Sequence, residues 1–319
     1  MWNEIMSPRE TATNLDSPTS WGLLYIKGML MGTADLVPGV SGGTIAFITG
    51  IYDELIETIA GIKLSLVGRL RDVGLRVTWR EANLNFLVIL VAGIFTSAFS
   101  LAGALSWLTE NRPVELWAFF FGLVAASIPL VGSQIRQRKL NTGVLIILGA
   151  TLAALVTSLP PFLQSDAPVF LFACGAIAVC AMILPGISGS FILLILGAYA
   201  PVLRAIEELD LLRIATFGIG ALLGILTFSR ALKWLLIKQR DPTLGLLVGF
   251  LIGSLNALWP WKDLVRELYT HHDGEIEWLK TNTWPNDPTE IWLVLGFAII
   301  GALIVTGLGR IKNKNREVY

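Results

Sequence analysis

Asp35–Gly43 reads DLVPGVSGG, and 147 positions later Met182–Ser190 reads MILPGISGS. Each stretch places Pro-Gly-X-Ser-Gly inside an apolar run. Proline lacks an amide hydrogen and fixes φ, glycine reaches conformations closed to other residues, and together they end one helix and let another begin. The likeness continues beyond the motif: VPGVSGGTIAFITGIY (37–52) laid over LPGISGSFILLILGAY (184–199) matches at eight of 16 positions, Gly50 over Gly197 and Tyr52 over Tyr199 among them. Further on the offset falls to 127, which sets Gly93, Trp107, Gly122 and Ser127 over Gly220, Trp234, Gly249 and Ser254; it returns to 147 where Leu148-Gly149 falls over Leu295-Gly296. The chain reads as one unit written twice.

Outside these breaks the chain is apolar. Of its 319 residues 54% are hydrophobic and 15% charged, and the mean hydropathy is +0.67, which places it among polytopic membrane proteins. Lysines plus arginines balance aspartates plus glutamates, so no basic excess points to nucleic acid. Cys174 and Cys180 are too few to build a metal site and read as packing residues. Six runs are long enough, or nearly so, to cross a bilayer: 85–108, 115–133, 142–160, 213–237, 243–260 and 290–309. The breaks cut regions 21–60 and 168–203 into halves of about 16 residues, roughly 24 Å of helix each, marginal as spans.

If each broken region leaves on the side it entered, parity places every loop. Residues 1–20 form a cytoplasmic tail, 21–160 a first repeat, 161–309 a second repeat with an outer loop at 261–290, and 310–319 a second cytoplasmic tail. Segments assigned to the cytoplasm hold 15 basic residues, five of them in the 61–83 loop, against six outside, the asymmetry the positive-inside rule demands. The fold class is therefore an all-α polytopic membrane protein. Each half holds a re-entrant helical hairpin plus three transmembrane helices, and the odd span count inverts the second half relative to the first. Transporters recurrently use this plan, with the substrate near the midplane at the repeat interface.

At a re-entrant tip the amides of Gly42, Gly43 and Thr44 open a helix, and amides plus the helix dipole attract anions, with the hydroxyls of Ser41 and Thr44 adding neutral donors. Ser188, Gly189 and Ser190 repeat the arrangement from the opposite face. Pro38, Gly39, Pro185 and Gly186 supply the turns. Because the amides dominate, Ser41→Ala alone is expected to be mild. A second reading leaves the motifs as tight turns between short full spans, exposed at the far surface; parity is the same for both. Non-helical backbone at membrane depth is tolerated where it lines a cavity, and the turn at 184–199 carries no charged residue.

Charges inside apolar runs come next. Asp35, one turn before the first break, pairs with a basic group or carries a coupling proton, and its repeat counterpart is Met182. Arg230 and Lys27 either snorkel along apolar stems or meet a phosphate, which a guanidinium fork suits well. Asp53, Glu54 and Glu57 read as the solvated end of the hairpin. His271 and His272 are adjacent in a polar loop and do not make a metal pair.

ADLVPGVSGGTIAFITGIY, LPGISGSFILLILGAY and the later GFLIGSLNALWPW resemble the bacterial inner-membrane family of PopT-type polyprenyl-phosphate translocases. The resemblance covers about residues 21–308. It implies a carrier that returns undecaprenyl phosphate, or a related polyprenyl phosphate, from the outer to the cytoplasmic leaflet of the inner membrane by alternating access. By motif, Ser41, Gly42, Gly43, Thr44, Ser188, Gly189 and Ser190 would bind the head group, Arg230 would add charge, and Asp35 or Lys27 would serve coupling or charge pairing. No cofactor is implied beyond coupling to protons or sodium ions, and the partners are the lipid phosphate and membrane lipids. Two rivals stand beside it. Membrane-embedded polyprenyl-pyrophosphate phosphatases share the architecture and a Pro-Gly-X-Ser motif but carry an arginine after the serine, where this chain has glycine. A small-anion transporter would also use helix N-termini.

Overall fold

The computed structural model describes residues 18–37, 39–63, 65–137, 139–159, 165, 167–270, 276–285 and 287–317. Pro38 of the first motif, Arg138, His271 and His272 lie outside the described residues. The first half opens with α1 (Pro18–Asp35), which stops at the motif, followed by the short α2 (Gly42–Ile48) and α3 (Tyr52–Gly61). Two small helices, α4 (Ser65–Val73) and α5 (Leu75–Glu81), occupy what reads as a basic loop. Three long helices follow, α6 (Leu84–Asn111), α7 (Pro113–Gly132) and α8 (Leu140–Ser158). The second region runs α9 (Pro168–Ile183), α10 (Gly189–Ile195), α11 (Tyr199–Glu207), α12 (Leu211–Lys238) and α13 (Arg240–Ser254). It then forms a hairpin of β1 (Lys262–Thr270) and β2 (Ile276–Asn282) and ends in α14 (Thr289–Glu317).

Local chemistry explains the break points. Ser41 and Ser188 cap α2 and α10, accepting from the Gly43 and Phe191 amides. Gly39 and Gly186 sit at φ 87° and 85°, where a side chain would be strained. Each short helix ends in the same glycine-closed turn: Ile51 N donates to Ala46 O at 3.0 Å and Gly50 N to Phe47 O at 3.2 Å, while Ala198 N donates to Leu193 O at 2.9 Å and Gly197 N to Leu194 O at 3.0 Å. The sharp α6–α7 and α12–α13 connections pass through single residues of nearly equal backbone, Arg112 (φ −139°, ψ 48°) and Gln239 (φ −136°, ψ 51°). Those two residues are 127 positions apart.

Five helices, α6, α7, α8, α12 and residues 289–308 of α14, are long and apolar enough to span a membrane, so the chain is a multi-pass membrane protein. The expected span at 243–260 is shorter than read: α13 ends at Ser254 after 15 residues. It lies inside the bundle, with most of its positions from Thr243 to Ser254 buried, so it need not match the lipid thickness. The 261–290 segment also departs from the expected loop. Residues 262–270 and 276–282, with Val265, Tyr269, Thr270, Ile276, Trp278 and Thr281 among them, pair as an antiparallel hairpin with Lys262 opposite Asn282.

Packing joins the two sequence halves. α1 lies on α6 and α9 on α12, whereas α8 packs on α13 and α14 on α7, so each half lends its last helix to the other. Small residues allow these approaches: a side chain at Gly122 would run into the Ala298 backbone, and one at Gly249 into the Ile146 carbonyl. Close backbone approach through glycine is how helices associate where lipid leaves no hydrophobic driving force.

Candidate functional site

The two motif turns meet. Ser41 Oγ lies 3.1 Å from both the Met182 and Leu184 carbonyl oxygens and donates its one proton to either. In return Gly186 N donates to Thr44 Oγ1 at 2.9 Å. Gly43 faces the same backbone so closely that a Cβ there would lie 2.5 Å from the Ile183 oxygen. Ser41, Gly42, Gly43 and Thr44 are all buried.

The turns are unequal. Around the first, the amides are already engaged: Gly42 N donates to Asp35 Oδ1 at 2.6 Å, Gly43 N to Ser41 Oγ at 3.1 Å, and Thr44 N to Ser41 O at 3.0 Å. The Asp35 carboxylate thus occupies the place at the start of α2 that the sequence assigns to a substrate anion. Its other oxygen, Oδ2, is buried without a hydrogen-bond partner among the described residues. The second turn has Met182 where the first has Asp35. Ser188 Oγ is 3.0 Å from Ser190 Oγ and accepts from Phe191 N at 3.4 Å, and the described residues offer no acceptor to the Gly189 or Ser190 amides. All of α2 is buried, whereas only Ile195 of α10 is. The open amides and the accessible surface therefore lie on the second turn.

The other expected contributors sit elsewhere. Arg230 Nη2 donates to Ile62 O at 2.6 Å, capping the C-terminal end of α3, and is exposed; among the described residues no hydrogen bond joins it to the motifs. Lys27 is half-buried on α1, two turns before Asp35, and makes no hydrogen bond to a motif residue among the described residues. Asp53 and Glu57, read as a solvated end, pair with Arg240 at 3.1 Å and Lys233 at 2.9 Å. With Arg230 these contacts run antiparallel along α3 and bind it to α12 and the start of α13.

The segment 249–261, GFLIGSLNALWPW, acquires a role that was invisible in the sequence. Phe250 and Leu251 wall Gly186, since a Cβ there would lie 2.8 Å from the Phe250 oxygen. Ala257, Leu258 and the Trp117 ring wall Gly39 at 3.7–3.8 Å. The only signal for these residues was the presence of that segment among the three matched motifs.

Residues 31–276 match the family model described as undecaprenyl phosphate translocase-like. The chain is similar to a polyprenyl-phosphate transporter of Vibrio cholerae serotype O1, with 42% identity over 297 residues, 91% of this chain and 96% of the relative. It is also similar to a polyprenyl-phosphate transporter of Staphylococcus aureus, with 30% identity over 253 residues, 74% and 85% of the two chains. No solved structure matches it.

Proposed function

The chain belongs to the undecaprenyl phosphate translocase-like family, and on that premise we propose that it carries a polyprenyl phosphate, undecaprenyl phosphate foremost, from the outer to the cytoplasmic leaflet of the bacterial inner membrane. The observation that carries the mechanism is the meeting of the two motif turns through Ser41, Thr44 and Gly186. The cargo is one phosphate on a long apolar tail. Its head group must cross hydrocarbon while the tail stays in lipid, so the protein has only to supply polar contacts at depth. Ser188, Gly189 and Ser190 offer hydroxyls and amides, which hold an anion without burying a second full charge. Ser41, Gly42, Gly43 and Thr44 act behind them, fixing the second turn and holding Asp35.

The placing of the second turn supports a re-entrant arrangement: Phe250, against Gly186, is ten residues into α13, about 15 Å along its axis, whereas Trp117, against Gly39, is four residues into α7, about 6 Å from its start. The recurrent turns, the matched Arg112 and Gln239 connections and the exchanged third helices support an inverted repeat of 21–160 and 161–309. In such a repeat, rocking of one half on the other exposes the turns alternately. The contacts of Asp53, Glu57 and Ile62 with Arg240, Lys233 and Arg230 join the halves and must part when the cytoplasmic side opens. Asp35 is the coupling group: a proton or sodium ion neutralises the carboxylate at the Gly42 amide as phosphate arrives at the adjoining turn, so the two negative charges are never buried together.

The relatives' names indicate a transporter rather than an enzyme. Proteoliposomes separate the alternatives: uptake of radiolabelled inorganic phosphate would favour a small-anion carrier, and phosphate release from undecaprenyl pyrophosphate would favour a phosphatase. The expected result is neither.

A further inference from the structure

The transport function above makes no use of α4 and α5, the two small helices between α3 and α6. Both leave large apolar side chains open: Leu70 and Val73, three apart on α4, and Leu75 and Trp79, four apart on α5, are between 37% and 62% exposed. At those spacings each pair forms one edge of its helix. The charges around them are mostly positive. Arg69 is engaged with Glu81, which joins α4 to α5, and the rest of residues 63–81 sets Lys63, Arg71, Arg76 and Arg80 against Asp72. Arg71, Arg76 and Arg80 are exposed and, among the described residues, have no acidic side chain within ion-pair distance. Arg76 and Arg80 each follow a residue of the apolar edge by one position and so stand beside it, about 100° round the helix. The fold also fixes the height of α5. Thr78 and Ala82 are buried and seat it inward, and Trp79 Nε1 donates at 2.7 Å to Oδ1 of Asn85, the second residue of the span that begins at Leu84. Asn83 Nδ2 ties the join to α3 through Glu54 Oε1 at 3.0 Å and Thr58 Oγ1 at 3.3 Å. The indole is thus held where a span enters the bilayer, the level at which tryptophan concentrates.

We propose that α4 and α5 lie flat on the membrane beside the start of α6 and dock on the anionic phospholipid of that leaflet. Leu70, Val73, Leu75 and Trp79 enter the boundary between head groups and acyl chains, and Arg71, Arg76 and Arg80 meet the head-group phosphates. Two observations select lipid as the occupant. The segment is continuous with a membrane span, so the bilayer surface adjoins it with no partner to recruit. Its charge is also complementary to that surface: an apolar edge bordered by cations binds an interface through buried area plus attraction to anionic lipid, and guanidinium groups suit phosphate oxygens. The inference rests on the multi-pass character of the chain and holds whatever the chain carries and in whichever direction.

The full chain in nanodiscs tests this, with phosphatidylcholine alone or mixed with phosphatidylglycerol as the bilayer. In a Cys174→Ala, Cys180→Ala background a nitroxide is attached at Leu75→Cys or, for comparison, at Val77→Cys, which helical spacing puts on the opposite side of α5. Collision with a water-soluble nickel chelate and with dissolved oxygen is then measured. Phosphatidylglycerol should lower nickel collision at position 75 about threefold or more and raise oxygen collision, with little change at position 77. Joint replacement of Arg71, Arg76 and Arg80 by Gln should abolish the response and replacement by Lys should keep most of it, both with a wild-type thermal midpoint. Hydrogen–deuterium exchange of the unlabelled wild-type chain over 65–81, slowed by phosphatidylglycerol, gives the same reading without any substitution. Equal collision or exchange in the two bilayers overturns the proposal, as does a Gln variant that responds like wild type. Protection by undecaprenyl phosphate but not by phosphatidylglycerol overturns it as well, and marks a cargo site instead.

Discussion

Gly43→Ala is the most informative single change, because one methyl group would press on the contact between the two turns. Its Cβ would lie 2.5 Å from Ile183 O, 3.0 Å from Ile183 C and 3.1 Å from Met182 O. These are backbone atoms that cannot rotate away. An ordinary carbon-to-carbonyl contact is about 3.3–3.6 Å, so the turns must separate by roughly 1 Å. A shift of that size takes the 3.1 Å contacts of Ser41 with Met182 and Leu184, and the 2.9 Å bond from Gly186 to Thr44, past useful hydrogen-bond length. Overpacking costs about 1–3 kcal/mol, and the loss of two hydrogen bonds adds about 0.5–1.5 kcal/mol each. The sum is roughly 2–6 kcal/mol, a fall in Tm of several degrees at about 2 °C per kcal/mol. Gly103→Ala, where a Cβ meets nothing within 4 Å, is the matched control. Thermal unfolding of purified protein in detergent, followed by transport assays well below each midpoint, should show Gly43→Ala destabilised and inactive and Gly103→Ala like wild type. A Gly43→Ala protein with wild-type Tm and transport would refute the contact between the turns.

Three further changes bear on separate parts of the mechanism. Ser41→Ala, expected from the sequence to be mild, removes both the cap on Gly43 N and the tie to the second turn from a fully buried site; a loss of about 1–3 kcal/mol in unfolding experiments is now expected, and an unchanged midpoint would contradict it. Asp35→Asn keeps an acceptor for Gly42 N but removes the charge, so the protein should fold normally while its transport ceases to respond to an imposed proton or sodium gradient. A gradient response equal to wild type would exclude Asp35 as the coupling group. Glu57→Lys sets like charges at the α3–α12 join; exposed pairs contribute only about 0–1 kcal/mol, so Tm should barely move while the transport rate changes and the added Lys233→Glu restores it. Failure of the double variant to recover would remove this join from the cycle.

What the sequence could convey depended on range. The breaks, the apolar spans and the doubling of the unit are local or periodic, and the helices appear at those positions because proline, glycine and the capping serines act within a few residues. The length of α13 was hidden because an apolar run looks the same in lipid and in a protein interior; only its packed neighbours show that Thr243–Ser254 is buried. The β1–β2 hairpin was missed because a polar segment between spans reads as loop where no strict alternation of apolar and polar residues marks a strand. Around the candidate site, the Gly42 amide could be read as a donor but not the carboxylate that accepts from it, since Asp35 reaches forward seven residues across the turn. Arg230 on Ile62 and Lys262 over Trp117 join residues 168 and 145 positions apart, contacts that no spacing rule anticipates.

Leaflet-to-leaflet transfer itself is the decisive quantity. In vesicles reconstituted with the purified protein and loaded asymmetrically with undecaprenyl phosphate, the fraction of lipid phosphate accessible to a membrane-impermeant phosphatase is followed over time. The protein should equilibrate the leaflets much faster than empty vesicles do, and Gly43→Ala vesicles should behave like empty ones. Equilibration at the empty-vesicle rate by well-folded wild-type protein would contradict a lipid-phosphate carrier built on the paired turns.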